Sequence, residues 1–187
     1  MKDLIIYLKS DLFRYCGSIK FKKFLKQYLL GEGFRFTVWL RLCHFSKKNK
    51  YTKYTIFPFC YLFYKHYKYK YGYDISYNTE IGPGLLIFHS SGIVLAPEYI
   101  GKNATISQNC TIGMTIKNGK KYFPKIGDGL YMAPGSAIIG DVTIGNNVAL
   151  GTNCVLNKSV PDNSIVVGIP GKIISNKGSK FYVNNPI

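Results

Sequence analysis

Acidic side chains are scarce in this sequence: nine Asp and Glu stand against 25 Lys and Arg in 187 residues, a formal net charge of +16. Paired cysteines are missing too. The five thiols, Cys16, Cys43, Cys60, Cys110 and Cys154, are odd in number, widely spaced and contain no CxxC pair. That argues against a disulfide framework and against a zinc site, and for reduced thiols in a cytoplasmic protein. Long apolar runs are also lacking. The longest, YTIFPFCYLFY at 54–64, falls well short of the roughly 20 residues that a membrane-crossing helix needs. The opening MKDLIIYLKSDLFRY is broken by Lys and Asp before an apolar core forms, so it is not expected to act as a secretory signal. Disorder is not expected either, because 47% hydrophobic residues suffice for a core.

The charge is unevenly spread. Residues 1–73 hold 16 Lys and Arg against 3 Asp and Glu, a net of +13, while residues 74–187 hold 9 against 6, a net of +3. Of 29 Phe, Trp and Tyr, 21 precede residue 74. Three regions are expected: a helical, basic, aromatic-rich segment at 1–73, a repeat domain at 74–174 and a C-terminal tail at 175–187.

The repeat domain is announced by its spacing. An aliphatic residue returns every six positions at Ile75, Ile81, Ile87 and Ile93, then one residue late at Ile100, Ile106 and Ile112. It resumes at Ile126, Met132, Ile138, Ile144, Leu150 and Leu156. A helix would show spacings of three and four, and an exposed strand would alternate by two. A period of six fits short parallel strands of a β-helix, each unit forming one side of a prism with its first residue pointing inward. Small residues after the aliphatic one, as in IGP, IGK and IGD, suit the corners. About four to five coils fit between 75 and 160, and the polar stretch GMTIKNGKKYFPK between Ile112 and Ile126 is expected as an extruded loop.

The segments DISYNTEIGPGLLIFHSSGIVL, ISQNCTIG, PKIGDG and VPDNSIVVGIPGKII resemble the hexapeptide-repeat acyltransferases, and most of all their serine acetyltransferase branch, with a likeness also to surface-polysaccharide O-acetyltransferases. The resemblance covers about 100 residues, 74–174. It implies a mainly β fold, a left-handed parallel β-helix preceded by the helical region, and acetyl-CoA as co-substrate with no metal. It further implies that His89 is the general base removing the acceptor's hydroxyl proton, and that Asp74 orients it through the far ring nitrogen. Gly113, Pro134 and Thr152 are implied to line the acetyl-CoA groove between adjacent prisms, with Lys158 and Lys172 meeting its phosphates, in a homotrimer. Cys110 falls where small residues pack, so a structural role is expected and no enzyme nucleophile is required.

Two positions depart from the serine-specific pattern. Where an Asp precedes the catalytic His, this sequence has Phe88. Where an Arg-His pair precedes PKI, it has Tyr122 and Phe123. Aromatic replacements suit a sugar ring, so Phe88, Tyr122 and Phe123 are expected acceptor contacts. The expected acceptor is a saccharide hydroxyl of a bacterial surface or capsular polysaccharide, or of its lipid-linked precursor. The alternatives are serine O-acetylation and a non-catalytic assembly scaffold. Residues 1–73 are expected to cap the open end of the prism, and their interleaved Lys and aromatic residues suit peripheral contact with an anionic membrane at the inner membrane face. No nucleic-acid-binding motif accompanies the charge.

Overall fold

The computed structural model describes residues 2–187. Five helices come first: α1 (Lys2–Cys16), α2 (Phe21–Leu30), α3 (Glu32–Lys48), α4 (Lys50–Thr55) and α5 (Phe57–Tyr71). Strands numbered in chain order then wind into three parallel sheets. The first face stacks β1 (Tyr73–Ile75), β4 (Ile93–Leu95), β7 (Thr111–Gly113), β12 (Ala137–Ile139) and β15 (Val155–Leu156). The second stacks β2 (Glu80–Ile81), β5 (Tyr99–Ile100), β10 (Lys125–Ile126) and β13 (Thr143–Ile144). The third stacks β3 (Leu86–Ile87), β6 (Thr105–Ile106), β11 (Tyr131–Met132), β14 (Ala149–Leu150) and β16 (Ile165–Val167), with β17 (Lys172–Ser175) antiparallel at its end. The chain visits the faces in turn, a parallel β-solenoid.

The hexad aliphatics are its rungs. Ile75, Leu95, Ile112, Ile138 and Leu156 align on the first face. Ile81, Ile100, Ile126, Ile144 and Val160 align on the second, and Ile87, Ile106, Met132, Leu150 and Val166 on the third. All are buried, and each is worth roughly 1.5–3 kcal/mol of transfer free energy. One assignment from spacing is corrected here. Ile93 is buried, but it pairs with Tyr73; the rung is Leu95, paired with Ile75 and Ile112. The one-residue slip is the sum of a corner two residues longer, between Ile87 and Leu95, and a step one residue shorter, from Leu95 to Ile100. The expected loop is also more ordered than foreseen. Asn118 and Gly119, both at positive φ, close a two-residue hairpin of β8 (Thr115–Lys117) and β9 (Lys120–Tyr122), as type I′ turns favour.

Corners interlock vertically. Gly135 (φ +73) lies over Asn153, whose Oδ1 would be 2.1 Å from a Cβ at that position, and Gly129 lies over Asn147 in the same way. Asn and Gly tolerate the left-handed backbone that these turns require.

The helices cover the first coil. Asp11 and Arg41, both buried, pair through Arg41 Nε and Asp11 Oδ2 at 2.9 Å. Asp11 Oδ1 also accepts the backbone N–H groups of Gly84 (2.9 Å) and Leu85 (2.8 Å). Arg41 donates to the carbonyls of Ile81 (2.6 Å) and Gly82 (2.8 Å). The neighbouring Tyr15 hydroxyl accepts from Ile87 N and donates to Ile87 O. After β17 the chain turns back along the corner between the second and third faces. Ser179 N bonds Asn147 O, Arg14 donates to Asn184 O, and Ile187 exchanges two hydrogen bonds with the Asn103 side chain. No helix among the described residues is long and apolar enough to cross a membrane.

Replacing Asp11 by Ala strands the Arg41 guanidinium and two backbone N–H groups. A loss of about 3–5 kcal/mol in unfolding free energy is expected from denaturant titration, and Arg41→Lys, which cannot fork across carboxylate and carbonyls, is expected to be destabilised as well.

Candidate active site

His89 sits on the lengthened corner between β3 and β4. Its backbone is left-handed (φ 59), and Ser91 (φ 99) and Gly92 (φ 67) follow with positive φ. Such a run needs outside support, and the residues joining α5 to β1 supply it. Ser91 N donates to Tyr71 O (2.8 Å), Ile93 N to Gly72 O (3.2 Å), and the Tyr73 hydroxyl to His89 O (3.0 Å). Burial pushes the Tyr73 phenol pKa up, so it remains a donor. Tyr73 was not singled out from sequence; its only signal is its place in YGYD, one residue before Asp74. The imidazole of His89 is thereby exposed on the outside of the prism, with the Phe88 ring 6.4 Å away.

The expected bond between Asp74 and His89 is not formed. Asp74 Oδ1 instead accepts from Lys68 Nζ at 2.5 Å, on the last turn of α5. A carboxylate binds a nearby ammonium strongly because the full charge strengthens the hydrogen bond. Lys68, Tyr69, Gly72, Tyr73, Asp74, Gly92, Ile93 and Val94 line a shallow cleft of about 380 Å³, in which Gly92 is the lining residue nearest His89 along the chain.

The remaining candidates divide between two edges. Pro134 and Thr152 lie at the corner that carries His89, in the coils below: Gly135 N bonds Gln108 O, and Asn153 N bonds Pro134 O. Lys172, exposed on β17 opposite Val167, closes the same edge. Gly113 ends β7 at the root of the hairpin, where Ile139 Cδ1 would be 2.8 Å from an added Cβ. Tyr122 lies on β9 beneath Lys117, and Phe123 follows it, half-buried. Lys158 is exposed on the turn from the first face to the second, the hairpin's edge. The candidate residues of one chain thus fall on two separate edges of the prism.

Cys110 is fully buried under the corner, its Sγ near Ala133 O at 3.2 Å, and burial raises its thiol pKa. It is no nucleophile at neutral pH. Among the described residues, no group of three or more His, Cys, Asp or Glu side chains is placed to hold a metal.

No family model matches the chain. It is 41% identical over 111 residues to the serine acetyltransferase of Staphylococcus xylosus, covering 59% of this chain and 51% of that one. It is 42% identical over 111 residues to that of Staphylococcus epidermidis RP62A, with 59% and 52% covered. The chain thus spans about half the length of the curated relatives it matches. Among solved structures it resembles Brucella abortus serine acetyltransferase (TM-score 0.73, 26% identity, 95% of this chain and 70% of that one). It also resembles the soybean enzyme complexed with serine (TM-score 0.74, 27%, 93% and 70%). The helical region followed by a β-solenoid is the fold of those enzymes.

These relatives overturn the expected saccharide acceptor and its polysaccharide context, and match the serine alternative. Within one chain Phe88 lies on one edge of the prism and Tyr122 and Phe123 on another. Tyr122 is engaged locally, as the cross-strand partner of Thr115.

Tyr73→Phe removes the bond that holds the His89 carbonyl. Hydrogen exchange is expected to speed at the amides of Ser91 and Ile93 while the rung amides of the lower coils keep their protection, with a loss of about 1 kcal/mol in global stability.

Proposed function

We propose that this chain is an acetyl-CoA-dependent serine O-acetyltransferase. The observation that carries the reading is the outward-held His89 on a solenoid whose relatives, at 41–42% identity, are serine acetyltransferases. His89 takes the proton from the serine hydroxyl as its oxygen bonds the thioester carbonyl carbon. The tetrahedral intermediate collapses, the C–S bond breaks, and the imidazolium returns the proton to the departing CoA sulfur. No acyl-enzyme is needed because the donor is already activated.

The division of the candidate residues between two edges supports a homotrimer, in which the His89 edge of one copy faces the hairpin edge of the next. Pro134, Thr152 and Lys172 would then face Gly113 and Lys158 across the CoA groove.

In the places of the Arg-His pair stand Tyr122 and Phe123, so the cation for serine's carboxylate comes from elsewhere. Lys68 is the ammonium in the cleft beside Gly92. The substrate carboxylate would replace Asp74 as its partner, freeing Asp74 to accept from the His89 ring. Binding of the acceptor and orientation of the base are then one event.

Full-length protein given L-serine and acetyl-CoA is expected to release CoA and form O-acetylserine. His89→Ala should lower kcat by about 10²–10⁴-fold, and an unchanged rate would sink the mechanism. Lys68→Met is expected to raise the KM for serine roughly 10–100-fold, the worth of one charged hydrogen bond, while the KM for acetyl-CoA holds.

A further inference from the structure

Helix α2 buries none of its ten residues completely. Its inner side rests on aromatic contacts, with the Phe24 ring edge-on to Phe34 at 5.5 Å and Tyr28 stacked on Phe24. Arg35 fastens its C-terminal end by donating to the carbonyls of Tyr28 and Leu29. The side chains pointing away are large and apolar: Phe21 is 77% exposed, Leu25 47%, Leu29 59% and Leu30 72%. Between them project Lys22, Lys23 and Lys26, with Lys20 just before the helix.

The outer side of α1 continues the surface. Ile5 and Ile6 are about half-exposed, with Lys2, Asp3 and Lys9 exposed beside them, and Lys9, Ser10 and Phe13 line one shallow depression with Ile19 and Ile187. From residue 12 to residue 31 there is no Asp or Glu. Among the described residues, none of Lys20, Lys22, Lys23 or Lys26 belongs to an ion pair.

We propose that the outer face of α1 and α2 is a docking surface for an anionic lipid bilayer. A surface with apolar side chains at its centre and lysines interleaved asks for a partner that is apolar and anionic within a few ångströms. A lipid interface is such a partner: leucines and Phe21 enter the headgroup–acyl boundary while lysine stems lie along it and their ammonium groups meet phosphates. A second copy would set lysines against lysines. A nucleic acid would satisfy the lysines and leave four large apolar side chains against a hydrated phosphate backbone.

The helix would lie on the bilayer, because no described helix can span one. This inference is independent of the acceptor: loss of serine acetylation would leave it standing, and loss of lipid binding would leave the chemistry standing.

The test floats the full-length protein with vesicles of phosphatidylcholine alone and with added phosphatidylglycerol. Binding is expected only with phosphatidylglycerol, falling as salt rises. The triple variant K22Q/K23Q/K26Q should partition about a hundredfold more weakly, at roughly fivefold per lysine. The double variant L25Q/L29Q should weaken binding at least about tenfold, since these side chains carry the apolar share. All the changed side chains are exposed, and unchanged melting temperatures verify that both variants fold.

Absence of wild-type binding at low salt overturns the proposal, as does binding that neither variant weakens. If L25Q/L29Q instead reduces the sedimenting mass without affecting vesicles, the face belongs to self-association. If a DNA duplex binds through the lysines and independently of the leucines while vesicles do not, the partner is nucleic acid; either result refutes a lipid surface.

Discussion

The buried pair of Asp11 and Arg41 is the contact on which the ordering of the rest depends. A stack of parallel strands leaves the outermost coil with backbone donors and acceptors that have no further strand to meet. Here a carboxylate and a guanidinium from two helices take that part, accepting from Gly84 and Leu85 and donating to Ile81 and Gly82. Burial of the charges is tolerable because each meets its opposite and the leftover sites meet backbone. The pair fixes the corner that leads into β3, and Tyr15 holds Ile87 just beyond it. His89 is two residues further on.

From there the structure spends local order to present one imidazole. Three positive-φ residues occur within four positions, a conformation that ordinary side chains resist. It persists because backbone from 71 and 72 and the Tyr73 hydroxyl hold it from the inside. The Tyr73 hydroxyl thus holds this corner from within the core, while Lys68 of α5 reaches Asp74 on the outside.

The sequence displayed the solenoid because inward residues recur with a period no other element shares. It concealed the register at the one corner that matters, because two residues gained before Leu95 and one lost after it look like a single slip. Ile93, aliphatic and correctly spaced, took the place of Leu95 in the count. The cap was invisible for another reason: Asp11 and Arg41 lie 30 positions apart, and nothing local marks them as partners. The candidate residues His89 and Asp74 were legible by motif, but the competition of Lys68 for Asp74 arises only when α5 packs on β1. The acceptor is not legible in the same way, because an aromatic side chain in a sequence does not name the substrate it meets.

Linear repeat proteins ordinarily come apart from their ends, since each unit leans only on its neighbours. The returning tail removes that freedom. By joining Asn147 of a lower coil to Asn103 of a higher one and then to Arg14 of α1, it turns a stack with two ends into a closed circuit. The terminal coils then fray less readily than those of an open stack, because the cap at one end and the last strands at the other are tied by the same tail.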